Sequence, residues 1–199
     1  MFKTEIIGIV NNVWPTILFL TVIIISLRIA YLLRTKKEFI FYKDVLMLGF
    51  IIYILSLYYV VTYQDVSWSG SNFTFFKEIF RYELGSRLFF KNVIGNMIMF
   101  LPYGFFIGYF LKEKKVWVPI LLTFIASITI EVIQYNIGRV FDVDDVLLNV
   151  MGGVVGFYLF KIIYNIKYHL PDILKKDIIY NIISIIIIML VIGYLLMIF

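Results

Sequence analysis

The chain contains no cysteine, which removes a disulfide framework, a thiolate metal site and a cysteine nucleophile. It contains one histidine, His169. An intramembrane zinc peptidase, whose ligands normally include histidines, is therefore disfavoured, as is a serine peptidase with a histidine base. His169 itself falls in a Tyr168–Pro171 turn and reads as a plain loop residue. Charge is also scarce. Asp, Glu, Lys and Arg make up 16% of the 199 residues, against about 25% in soluble domains. Apolar residues fill the gap at 62%, well above the usual 45–50% or so. The net charge of +5 reads as an orientation signal for a membrane protein, and no nucleic-acid partner is expected. No cofactor and no metal site is read from the sequence.

Six apolar segments account for most of the chain, at Ile6–Leu33, Val45–Tyr63, Val93–Leu111, Val116–Ile137, Val146–Ile166 and Ile178–Phe199. Each is near the roughly 20 residues that cross a ~30 Å hydrocarbon core. Their many Ile and Val residues would favour strands in water, but lipid cannot satisfy exposed backbone amides, so helix is expected. The first segment shows no small-residue cleavage site after its apolar run and is expected to remain as a helix. The fold class is thus all-α, a polytopic transmembrane bundle of about six helices forming one membrane domain over residues 1–199, with membrane lipids as its surroundings.

The connections sort by charge. Arg34, Lys36, Lys37 and Lys43, then Lys112, Lys114 and Lys115, then Lys161, Lys167, Lys175 and Lys176 place eleven basic residues on one side. Lys3, Lys77, Arg81, Arg87, Lys91 and Arg139 place six on the other. The positive-inside rule puts the richer side in the cytoplasm and both termini outside it. Of the outer connections, residues 64–91 open on a turn-rich Ser67–Asn72 stretch. Phe75, Phe76, Ile79, Phe80, Leu84 and Leu88 follow at helical spacing, which predicts an amphipathic interfacial helix over Phe75–Phe90.

Polar residues inside apolar segments are costly and mark functional candidates. Asn92 and Asn96 lie one turn apart at the outer start of the third segment. Glu131 and Gln134 share a face of the fourth, with Arg139 just beyond it. Asp142, Asp145 and Asn149 step along one face at the start of the fifth. All of them fall at one depth, near the outer leaflet. Glu131 is the sharpest signal, because a lone ionised carboxylate among apolar neighbours is strongly disfavoured. It must be paired with Arg139 or an amide donor, or be held protonated. The competing explanation is a structural contact between helices. Capping of the fifth helix accounts for Asp142 and Asp144. The spacing Gly152-x-x-x-Gly156 predicts close helix packing. Pro102 and Gly104 predict an interruption of the third helix.

The text from Asn92 to Gly156 resembles the VanZ-like family, named for a membrane protein associated with teicoplanin resistance in Gram-positive bacteria. The resemblance rests on Asn92-Val-Ile-Gly-Asn96 with Pro102-Tyr-Gly104, on Glu131-Val-Ile-Gln134, on Arg139-Val-Phe-Asp142-Val-Asp-Asp145, and on Asn149-Val-Met-Gly152-Gly-Val-Val-Gly156. It covers about a third of the chain, a core at 92–156, and finds no signature in the first two segments or the sixth. It implies a bacterial cytoplasmic membrane protein with a role in glycopeptide tolerance.

Three functions remain open. The first is binding or modification of an outer-leaflet amphiphile, such as a lipid-linked cell-wall precursor or a lipoglycopeptide. It requires that Glu131, Arg139 and Asp145 converge within hydrogen-bonding reach. The second is an enzyme acting on a lipid-linked substrate, with Glu131 or Asp145 as general base and Arg139 stabilising an anionic group. The third is a small transporter or flippase, for which no inverted repeat is visible.

Overall fold

The computed structural model describes residues 2–35, 38–62, 71–77, 79–112 and 114–198, with side chains from Trp14 onward apart from 195, 196 and 198. Among them are six helices long and apolar enough to cross a membrane. They are α1 (Phe2–Thr35), α2 (Phe41–Thr62), α3 (Arg87–Leu111), α4 (Trp117–Asn136), α5 (Val143–His169) and α6 (Asp177–Ile198), with a short 3-10 turn at Asp172–Lys175. The all-α reading holds. Lys36, Lys37 and the Ser67–Gly70 turn lie outside the described residues.

Helix ends follow the backbone dipole, which favours acids at the N-terminus and bases at the C-terminus. Asp44, Asp144 and Asp145, and Asp177 open α2, α5 and α6, while Lys167 and His169 close α5. Lys112 ends α3 in the left-handed region, at φ 51°. At the end of α4, Gly138 takes φ 86° and the Arg139 amide reaches back to the Gln134 carbonyl at 2.9 Å, closing a glycine cap.

Two compact units share these helices. One comprises residues 1–56 and 167–199. In it the Arg28 guanidinium donates to Asp44 Oδ1 at 2.7 Å, and Tyr42 uses its amide on Asn181 and its hydroxyl on Asp177. Lys167 lies over the Tyr180 ring at 4.4 Å. The most apolar stretches of α1 and α6 bury nothing inside the protein, as expected of side chains that face lipid.

The other unit, residues 57–166, holds the tightest packing. Of the corresponding stretch in α5, 44% is buried, more than in any other span among the described residues. Glycine allows this. A Cβ on Gly152 would collide with the Met97 carbonyl, one on Gly156 with the Leu101 carbonyl, and one on Gly104 with the Gly153 carbonyl. The predicted Gly152/Gly156 contact is therefore the α3–α5 seam. On its other side, Gly153 lies against Thr123 of α4.

Two local expectations are corrected. Pro102 does not interrupt α3, which is helical from Gly95 through Leu111. The irregularity comes earlier, in a π turn at Phe90–Ile94 where the Gly95 amide bonds the Phe90 carbonyl. The amphipathic helix over Phe75–Phe90 does not form either. Among the described residues of that stretch, turns run to Gly85 and helix begins only at Arg87, capped by the Ser86 hydroxyl. Competition for backbone amides is the reason. Those of Phe76 and Ile79 go to the Asp144 carboxylate, and Phe76 sits at φ 67°. A helix ladder cannot use the same donors.

Glycine substitutions should separate seam from surface. Gly156→Ala places a methyl against backbone that cannot yield, and overpacking of this kind costs about 1–3 kcal/mol or more. Gly49→Ala, with nothing within 4 Å of its Cβ, should be neutral or stabilising by up to ~1 kcal/mol. Thermal unfolding followed by size-exclusion chromatography in detergent should show a clear loss of midpoint for the first and none for the second.

Candidate functional site

α4 presents a buried polar stripe. Thr123, Ser127 and Glu131 recur every four residues and are 0%, 0% and 1% exposed, with Gln134 at 7%. In a helix whose other face is apolar and exposed, such a stripe points inward. Asn149 of α5 donates to the Ser127 hydroxyl at 2.9 Å. Sequence reasoning missed Thr123 and Ser127, because short hydroxyl side chains pass unnoticed in an apolar run.

At the end of the bundle where α3 and α5 begin and α4 ends, the stripe opens into a cavity of about 730 Å³. All eight residues predicted from sequence line it. Asn92 and Asn96 come from α3, Glu131 and Gln134 from α4, Arg139 and Asp142 from the connection, and Asp145 and Asn149 from α5.

Seven of the eight have an identified partner. Glu131 Oε2 accepts the Asp142 amide at 2.9 Å, so a backbone donor serves where a side chain was expected. Gln134 Nε2 and Arg139 Nη1 both donate to the Val61 carbonyl near the end of α2, at 3.3 and 3.0 Å. That carbonyl is one of the last four in its helix, which have no partner within it. Asn96 donates to Asp145 Oδ1 in a short hydrogen bond. Asp145 also feels the negative charges of Glu131, Asp142 and Asp144 and the positive charge of Arg139. Glu131, Arg139 and Asp145 thus line one cavity, and their described hydrogen bonds go to three different partners, the Asp142 amide, the Val61 carbonyl and Asn96. No three carboxylates among the described residues lie close enough to share a metal ion.

The wall is completed by a segment that sequence reasoning misjudged. Asn72 pairs with Asp142 in an isolated bridge, its amide on the Phe141 carbonyl and its own carbonyl accepting from Val143. Its side chain also donates to Asp142 Oδ1 at 2.9 Å, the oxygen that accepts the Asp144 amide. Asp142 is a cap as predicted. Asp144 is not: it is fully buried and clasps Phe76 and Ile79. That clasp brings Lys77, Arg81 and Tyr82 to the cavity, where Lys91 of the π turn joins them. The cue for Asp144 was the lack of backbone partners in a loop crowded with aromatics.

Six helices long and apolar enough to cross a membrane make this a multi-pass α-helical membrane protein. The chain belongs to the VanZ/LLP1 family, whose model matches residues 45–164. The match extends beyond 92–156 and takes in most of α2, including the Val61 carbonyl that Gln134 and Arg139 bind. Over 73 residues the chain is 33% identical to Protein VanZ of Enterococcus faecium, covering 36% of this chain and 45% of that protein. The chain thus spans about 45% of the length of that relative. No solved structure matches it.

Asp144→Asn should free the 72–82 segment. Weakening buried charge-assisted hydrogen bonds costs about 1–3 kcal/mol, so hydrogen exchange of the Phe76 and Ile79 amides should rise about tenfold or more. Exchange within α4 should stay unchanged.

Proposed function

We propose that this protein binds the polar head of a cell-envelope amphiphile from the outer leaflet of a bacterial cytoplasmic membrane, and that binding contributes to tolerance of lipid-bearing glycopeptides such as teicoplanin. The observation that carries the reading is the convergence of eight polar side chains from three helices and a connection on one 730 Å³ cavity. Polar groups serving only as glue between helices bond one another and close the space between them. Here they border a volume large enough for a headgroup.

The outward placement follows from charge. α3 starts at the cavity and runs to the Lys112, Lys114 and Lys115 connection, which the positive-inside rule assigns to the cytoplasm. On that topology both termini are extracytoplasmic. Binding is favoured over catalysis because the candidate bases are engaged by fixed donors, Glu131 by the Asp142 amide and Asp145 by Asn96. It is favoured over transport because the polar lining gathers at one end of the bundle.

The test expresses wild type, Glu131→Gln, Arg139→Ala and Asp145→Asn in a sensitive Gram-positive host, with membrane levels matched by immunoblot. Wild type should raise the inhibitory concentration of teicoplanin several-fold and leave vancomycin unchanged, and each variant should lose that protection. No protection by wild type would refute the tolerance role, and equal protection by all four would make the cavity structural.

A further inference from the structure

The cavity lining is divided by charge and by burial. Lys77, Arg81 and Lys91 are exposed at the mouth. Glu131, Asp144 and Asn149 are 1%, 0% and 3% exposed, and Asp145 is half-buried beside them. An anion entering this space meets Lys77, Arg81 and Lys91 first and is repelled from the floor by Glu131, Asp144 and Asp145, while half-buried Arg139, also in the lining, is bonded to the Val61 carbonyl. At the N-terminus of α5, protein acceptors already take the amides of Asp142, Val143 and Asp144. The floor is instead a place for hydrogen-bond donors. Asn149 Oδ1 is a buried acceptor with no hydrogen-bond partner, on a residue that lines the cavity. An unsatisfied buried acceptor costs about 1–3 kcal/mol, which a ligand donor would recover.

Resting on the reading that the cavity binds a headgroup, we propose that its ligand is a phosphate ester carrying a hydroxylated substituent. Lys77 and Lys91 engage the phosphate at the mouth, and Asn149 and Asp145 accept hydroxyl donors at the floor. The segment that delivers Lys77 also exposes Phe73, Phe80, Leu84 and Leu88, each more than half exposed. Apolar side chains beside basic ones are the composition of a surface that sits in the headgroup layer, so the favoured source of the ester is a membrane lipid.

The test uses the full chain in phosphatidylcholine nanodiscs, with phosphatidylglycerol as probe and competition by phosphatidic acid, phosphatidylethanolamine and soluble glycerophosphoglycerol. Phosphatidylglycerol should bind about tenfold tighter than phosphatidic acid, the equivalent of one good hydrogen bond. The double variant Lys77→Gln/Lys91→Gln should weaken both about tenfold or more. Asn149→Leu should erase the preference and keep phosphatidic acid binding. Asp145→Asn provides a second floor variant should Asn149→Leu fail to fold.

Competition by the soluble headgroup at equal strength would support the chemistry with a free source, and its failure to compete would support a lipid source. Equal binding of phosphatidylglycerol and phosphatidic acid, preference for phosphatidylethanolamine, or indifference to the lysine changes would overturn the proposal. Protection from teicoplanin without a preference for phosphatidylglycerol would remove this ligand assignment and leave headgroup binding standing. Preference without protection would do the reverse to the tolerance role.

Discussion

Glycine at Gly152 and Gly156 lets α5 lie directly against the α3 backbone, and the rest of the unit depends on that approach. Apolar attraction cannot drive helices together in lipid, where the tails are as apolar as leucine, so close van der Waals contact must do so. Once α5 is seated, Gly153 admits Thr123 and fixes the rotation of α4. The rotation turns Ser127 toward Asn149 and brings Glu131 under the Asp142 amide. A polar stripe that would be intolerable against lipid becomes the lining of an internal space.

The connections then act as structure in their own right. Among the described residues of 72–79 there is no regular helix or strand; Asn72 bonds Phe141 and Val143 through its backbone and Asp142 through its side chain, and the amides of Phe76 and Ile79 bond Asp144. Four residues at the threshold of α5 therefore order a loop far away in sequence. The buried Asp144 carboxylate is stabilised by the same amides it organises, so neither holds its position without the other.

Much of this was legible in the sequence. Segment length against bilayer thickness gave six helices, and the rarity of polar residues within them picked out eight positions that share one cavity. What stayed hidden depended on competition between partners. Helical spacing in Phe75–Phe90 was real, but Asp144 takes the amides a helix would need. Asp144 itself looked like an ordinary helix-start acid. Thr123 and Ser127 were silent because a hydroxyl carries little weight in an apolar run. The Val61 carbonyl was invisible because backbone acceptors have no letter in a sequence.

The π turn at Phe90–Ile94 carries one consequence for how this chain can vary. Lys91 and Asn96 both line the cavity although they are five residues apart, which on a regular helix of 3.6 residues per turn sets them roughly 140° apart. The wider turn, with its i→i+5 bond, absorbs that offset. Loss of one residue there would restore a regular helix with Lys91 and Asn96 four positions apart, about 40° from each other and still on one face. The cavity wall thus accommodates either count between Lys91 and Asn96: five positions with a π turn, or four with a regular helix.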